Sequence, residues 1–127
     1  MRLNQITLSV TDMAAAVDFY LELGAIQIVD TPHYARFMLP EGDSSFSLHL
    51  CTEKPGSGHS LYFESDRLDD WVAELKTRGI AFDSEPEDQR WLWREVNLKD
   101  PSGNHIKLYH AGDMRLDPPC RVTRRKH

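Results

Sequence analysis

Cysteine is scarce in this 127-residue chain: Cys51 and Cys120 are the only two. They match no zinc-ligand spacing and no redox motif, which excludes a disulfide scaffold and leads us to expect a reduced, cytoplasmic protein. No run of about 18 apolar residues exists, so no membrane-spanning helix is expected. The opening Met1-Arg2-Leu3-Asn4-Gln5 lacks the apolar core of a secretory signal. No glycine-rich phosphate loop is present, and no Ser-His-Asp arrangement follows from spacing. Positive charge is short as well. Five of the fifteen Lys and Arg residues are Arg115, Arg121, Arg124, Arg125 and Lys126, all within 113–127. The preceding 112 residues therefore hold ten basic and eighteen acidic side chains, a net of −8. An acidic body disfavours nucleic acid, whose phosphates call for Lys and Arg. The basic tail, 113–127, reads as a polar terminus.

What the chain does have is a repeat at an offset of 55. Ile6-Thr7-Leu8-Ser9-Val10 opens one copy and Leu61-Tyr62-Phe63-Glu64-Ser65 the other, with no gap through Gly24 and Gly79. Alternation predicts strands: Ile6, Leu8 and Val10 share one face, as do Leu61 and Phe63. Met13, Ala16, Val17 and Tyr20 recur at helical spacing, as do Leu68, Trp71, Val72 and Leu75. Thr11 or Asp12 is expected to cap the first helix, Ser65 or Asp66 the second, and Gly24 and Gly79 to close them. Further strands are predicted over 25–29, 34–39 and 45–51 in the first copy, and over 80–83, 91–99 and 105–109 in the second. Thr52 to Gly58 reads as a linker. Each half is thus βαβββ, module 1 spanning about 3–52 and module 2 about 59–112, in an α+β chain. A second offset, 58, aligns Leu48-His49-Leu50 with Ile106-Lys107-Leu108.

These segments resemble the vicinal oxygen chelate superfamily, which includes glyoxalase I, extradiol dioxygenases and bleomycin-binding proteins. The resemblance is carried by Ile6 to Met13, Phe19-Tyr20, Leu23-Gly24, Leu61 to Glu64, Trp71 to Leu75, Gly79 and the DPxGN-like Asp100-Pro101-Ser102-Gly103-Asn104. It covers about 3–112 and implies a single glyoxalase-like domain over 1–112. In such a domain two βαβββ modules form a curved mixed sheet around a cavity. It also implies, by analogy, a homodimer. Metal-dependent members hold one Zn²⁺, Ni²⁺, Mn²⁺ or Fe²⁺ on four ligands, two from each module. Carried over, those positions fall on Gln5, His49, Ser60 and Lys107. A lysine ammonium has no lone pair and repels a cation, and a serine hydroxyl is a poor ligand. Gln5 and His49 are the residual candidates, and no bound metal is expected. His59 adjoins Ser60, but alternation puts it with Leu61 and Phe63.

If Gln5, His49, Ser60 and Lys107 face the cavity, their neighbours of the same parity face it too. These include Ser47, Tyr62, Glu64 and Tyr109, and from the last long strand Trp91, Trp93, Glu95 and Asn97. Val96 and Leu98 then belong to the core on the helix side. Aromatic walls with a few polar groups fit a small-molecule pocket; equally, the rings would fill a narrow barrel or a dimer seam. Lys107 would pair with Glu64 or Glu95, or offer its charge to an anionic ligand. The resemblance supports three functions. One is metal-free binding of a small aromatic or cationic compound. The second is a metal-dependent lyase or dioxygenase, and the third an interaction module with a residual cavity.

Overall fold

A computed structural model describes residues 2–53 and 59–119. The last five residues of the expected linker, 54–58, and the end of the basic tail, with Cys120, Arg121, Arg124, Arg125 and Lys126, lie outside the described residues. The order of elements is β1 (Gln5–Val10), α1 (Met13–Leu23), β2 (Ile26–Asp30), β3 (Tyr34–Met38), β4 (Ser45–Leu50), β5 (Ser60–Glu64), α2 (Leu68–Thr77), β6 (Glu87–Asp88), β7 (Arg94–Lys99) and β8 (His105–His110). This is βαβββ twice. The strands form two four-stranded sheets, ordered β1-β4-β3-β2 and β5-β8-β7-β6. The described residues form two compact units: 2–53, 59–60 and 99–105 in one, and 61–98 with 106–119 in the other.

In the first unit β1 runs parallel to β4 with Gln5 opposite Ser45, and β3 is antiparallel to β4 with Tyr34 opposite His49. Asp12 caps α1, its carboxylate accepting the Ala15 N–H at 3.0 Å, and Gly24 closes it at φ 116°, a backbone conformation open to glycine. The face of α1 that is fully buried is Ala16, Tyr20 and Leu23. Met13 and Val17 are half-buried at its edge. Tyr20 meets Phe46 edge-on at 5.0 Å, and Phe46 stacks on Phe37 at 5.0 Å.

The Tyr20 hydroxyl, buried by this packing, donates to Asp100 at 2.7 Å. Asp100 is itself buried. Its other oxygen accepts the Ser102 and Asn104 N–H groups, both at 2.9 Å, and the Asn104 amide adds a fourth bond. Four donors thus satisfy a buried carboxylate that would otherwise be costly. The turn extends this network: Ser102 Oγ accepts the Thr11 N–H and the Asn104 amide donates to the Ser9 carbonyl, each at 2.9 Å.

In the second unit Leu68, Val72 and Leu75 of α2 and Val96, Leu98, Ile106 and Leu108 of the strands are buried, as the alternation predicts. Four local expectations change. Arg67, not Ser65 or Asp66, is the cap position of α2, and Ser65 Oγ instead accepts the Arg67 N–H at 3.1 Å in a serine turn. Residues 80–83 form no strand. There Asp83 donates to the Asn97 carbonyl and Ser84 Oγ accepts the Asn97 N–H, so a side chain replaces the ladder before Pro86, which has no N–H to give. The ladder to β7 is confined to Glu87 and Asp88. Finally, β7 begins at Arg94 rather than Trp91, because a tight turn precedes it. Leu92 donates to Gln89 at 2.9 Å and Gln89 to Trp93 at 2.7 Å, with Leu92 at φ 67°.

Burial, then the charge of Asp100 and its hydrogen bond, push the Tyr20 phenol far above its ordinary range. The native state therefore keeps a proton that the unfolded chain releases. This contribution to stability is fully present below pH about 10 and is lost as pH rises beyond it. Tyr20→Phe is expected to cost about 2 kcal/mol at neutral pH in urea denaturation and to flatten this alkaline loss. An unchanged alkaline slope in the variant would show that Tyr20 is not its source.

Candidate functional site

In the first half α1 packs against β3 and β4 on one face of the sheet, and polar alternate residues occupy the other. On the first sheet that face carries a continuous hydrogen-bond chain. Ser45 donates to the Gln5 carbonyl oxygen, the Gln5 amide donates to Ser47, Ser47 and Tyr34 hydroxyls meet at 2.6 Å, and Arg36 Nε donates to the Tyr34 oxygen at 2.9 Å. The bonds from Ser47 and then Arg36 hold the Tyr34 phenol below its ordinary range. His49 is exposed next in register to Tyr34 and Ser9, outside this chain of bonds. Tyr34 and Arg36 are not among the sequence candidates. The burial of Ala35 and Phe37 places them on the open face, and that alternation is legible in the sequence.

The last strand of each half sits at an offset of 60 rather than 58. Ser60 Oγ meets His105 Nδ1 at 2.5 Å and the Ser65 N–H donates to Tyr109. Both contacts advance together along the chain, so β5 and β8 run parallel, with Ser60 opposite His105 as Gln5 is opposite Ser45. Lys107 is therefore the counterpart of Ser47, and His49 that of Tyr109. Between its first and last strands the second half therefore holds five more residues than the first, in connections where alternation gives no count.

The second sheet gathers most of the remaining candidates. Glu95 is buried, at 5% exposure, and its Oε1 pairs with Lys107 Nζ at 3.1 Å. Its Oε2 is buried with no hydrogen-bond partner among the described residues. The Lys107 ammonium lies 5.2 Å from the centre of the Tyr62 ring. Tyr62 in turn stands edge-on to Trp93 at 6.3 Å and to Tyr109 at 5.7 Å, and Trp93 stacks on Tyr109 at 4.6 Å and 18°. The Trp93 indole N–H donates to Met114 at 3.3 Å. Glu64 does not pair with Lys107. Its Oε2 accepts the Ala111 and Gly112 N–H groups at 2.8 and 3.0 Å. Burial, aided by the Glu64 charge, pushes the Tyr109 phenol up. Trp91 sits in the turn before β7, outside the ring cluster, because the strand it was expected to open starts three residues later.

The donor set does not fit the superfamily's metal. Both polar atoms of Gln5 are engaged by serines, Ser60 is bonded to His105, and Lys107 is a cation paired with Glu95. Among the described residues no group of three or more His, Cys, Asp or Glu side chains could hold a metal ion. No helix among them is long and apolar enough to cross a membrane.

Two βαβββ halves built this way define a glyoxalase-like fold. The family model described as Glyoxalase/Bleomycin resistance protein/Dioxygenase superfamily matches residues 2–108, and the chain belongs to that superfamily. Among solved structures it is similar to a glyoxalase/bleomycin resistance protein/dioxygenase from Nocardioides, at 22% identity and TM-score 0.77, over 97% of this chain and 90% of that one. A lactoylglutathione lyase from Agrobacterium tumefaciens matches at 17% identity and TM-score 0.72, over 86% and 92%. A bleomycin-binding protein complexed with bleomycin matches at 21% and 0.70, over 87% and 98%. At these identities the likeness shows the fold alone. No curated protein matches the chain.

Removing one partner of a buried ion pair strands the other charge. Lys107→Met is expected to lower unfolding stability by about 3 kcal/mol. Adding Glu95→Leu to Lys107→Met should recover most of that loss, since a well-packed apolar pair replaces the charges at little cost. A double variant no more stable than the single one would mean that Glu95 is not the group stranded.

Proposed function

We propose that this protein binds a small, flat organic molecule on the open face of its second sheet, without a divalent ion. The observation that carries this reading is the stack of Trp93 on Tyr109 with Tyr62 at its edge, beside the pair of half-buried Lys107 with buried Glu95. Flat apolar walls with few fixed polar groups bury a planar ligand and orient it. Rings held by strands or, as at Trp93, by a hydrogen bond to the Met114 carbonyl lose little further freedom when a ligand arrives, which favours affinity. The bleomycin complex of a protein with this fold supports a binding role, and the chemistry at Lys107 weighs against metal-dependent lyase or dioxygenase activity.

The test is native mass spectrometry of gently purified protein for a retained small molecule, with an aromatic fragment screen read by tryptophan fluorescence. At least one planar compound is expected to bind. Trp93→Ala should weaken it by about 2 kcal/mol, roughly thirtyfold. Metal analysis of the same sample is expected to find no stoichiometric zinc, nickel, manganese or iron. One ion per chain, lost in Gln5→Ala and His49→Ala, would overturn the metal-free reading. A screen with no binder would overturn the pocket.

The protein is further proposed to act as a cytoplasmic homodimer. Strand β2 is the edge of the first sheet, and it leaves Ile26 at 44% and Ile28 at 50% exposure. An apolar edge of this kind invites pairing with a second copy. Light scattering is expected to give twice the chain mass, and Ile28→Lys to halve it. A monomeric wild-type mass at tens of micromolar would refute the dimer.

A further inference from the structure

The unpartnered oxygen of Glu95 specifies more than a flat ligand. Glu95 is 5% exposed, so its Oε2 has been taken from water, and no donor among the described residues replaces it. An acceptor in that state costs free energy until a donor meets it, and a ligand that brings one recovers the cost. The other oxygen is already matched by Lys107 at 3.1 Å.

Charge balance then limits the class of ligand. Glu95 and Lys107 together are neutral. A second cation placed at Oε2 would gain attraction from Glu95 but suffer repulsion from Lys107 on the other oxygen, which offsets part of that gain. One ring of the cluster already has a cation against it, because the Lys107 ammonium lies over Tyr62. An anion would be drawn to Lys107 but would set its own lone pairs against those of Oε2. A neutral N–H meets neither objection. The Lys107 ammonium has three N–H groups, of which Glu95 takes one. A carbonyl beside the ligand's N–H therefore finds a donor adjacent to the acceptor that its N–H uses.

Resting on the pocket reading above, we propose that the ligand is an uncharged planar ring carrying a lactam edge. Its N–H donates to Glu95 Oε2, its carbonyl accepts from Lys107, and its ring lies against the Trp93, Tyr109 and Tyr62 cluster. Glu95 is then the residue that sets specificity, and Lys107 fixes the carboxylate's orientation as well as binding the carbonyl.

The probes that test this are quinolin-2(1H)-one, its N-methyl derivative and quinoline-2-carboxylate, titrated by calorimetry and tryptophan fluorescence. The N-methyl compound keeps the ring and the carbonyl and lacks only the N–H. The lactam is expected to bind on the order of tenfold or more tightly than the N-methyl compound, and the carboxylate more weakly than either. In Glu95→Gln the amide nitrogen would replace the acceptor at Oε2, and the preference for lactam over N-methyl lactam should fall to about one. The wild-type ratio needs no variant, so the test stands even if Glu95→Gln folds poorly. Equal affinities for lactam and N-methyl lactam, a carboxylate that binds best, or a preference retained in a folded Glu95→Gln would each overturn the lactam assignment while leaving the pocket. If none of the three probes binds although the fragment screen finds a planar binder, the lactam assignment fails and the pocket stands; if the screen finds none either, both fail.

Discussion

A four-stranded sheet with a single helix has one covered face and one face that its own module leaves uncovered. That constraint organises each half of the protein. Alternation sends every second side chain to the helix, where Leu8, Val10, Phe37, Phe46 and Leu48 in the first half are buried. The other side chains cannot join that core. They must satisfy one another, meet solvent or meet a ligand. The first sheet takes the first course, with serines, Gln5, Tyr34 and Arg36 in one hydrogen-bonded chain. The second sheet leaves a stacked aromatic cluster and one carboxylate oxygen without a partner. The two halves share a topology, and the residues on their open faces give them different chemistry.

Lys107 shows how one side chain redirects such a face. In metal-dependent relatives the resemblance puts an anionic ligand at this position, which a cation would balance. Here the cation is part of the protein, and Glu95, which the resemblance assigns no role, supplies the opposing charge at 3.1 Å. A fixed ammonium cannot accept a lone pair or exchange ligands, so it does no Lewis-acid work. What it can do is hold a carboxylate and donate hydrogen bonds. The substitution thus changes what the face can bind, with the strands around it kept.

Much of this was legible in the sequence, and the limits have physical causes. The doubled βαβββ order follows from alternation and helical spacing, and so does the presence of Tyr62, Trp93, Glu95, Lys107 and Tyr109 on one face. Parity counts residues along a strand. It cannot count those in a connection, and so the last-strand offset read as 58 is 60, and His49 corresponds to Tyr109 instead of Lys107. Parity also fails where a strand has not begun. Trp91 and Trp93 look equivalent in sequence, yet Leu92 at φ 67° reverses the chain between them. The missing strand over 80–83 fails for a third reason, since Ser84 and Pro86 change which groups supply the hydrogen bonds.

The turn at Leu92 bears on the ring cluster as well as on strand length. A non-glycine residue in the left-handed region costs on the order of 1 kcal/mol, and Leu92 is exposed, so no burial of its own side chain offsets that cost. The hydrogen bonds around it, Leu92 to Gln89 and Gln89 to Trp93, hold the chain in the reversed path. Their effect is to fix the residue that follows. Trp93 enters next to Tyr62 and Tyr109 with its indole N–H already donating to Met114. The indole is thus held from both ends, by its backbone through a strained turn and by its ring nitrogen through a distant carbonyl. Restraints that fix a ring before a ligand arrives reduce the entropy lost on binding. The strain at Leu92 is local and small, and the ring it positions is the largest flat surface on the open face of the second sheet.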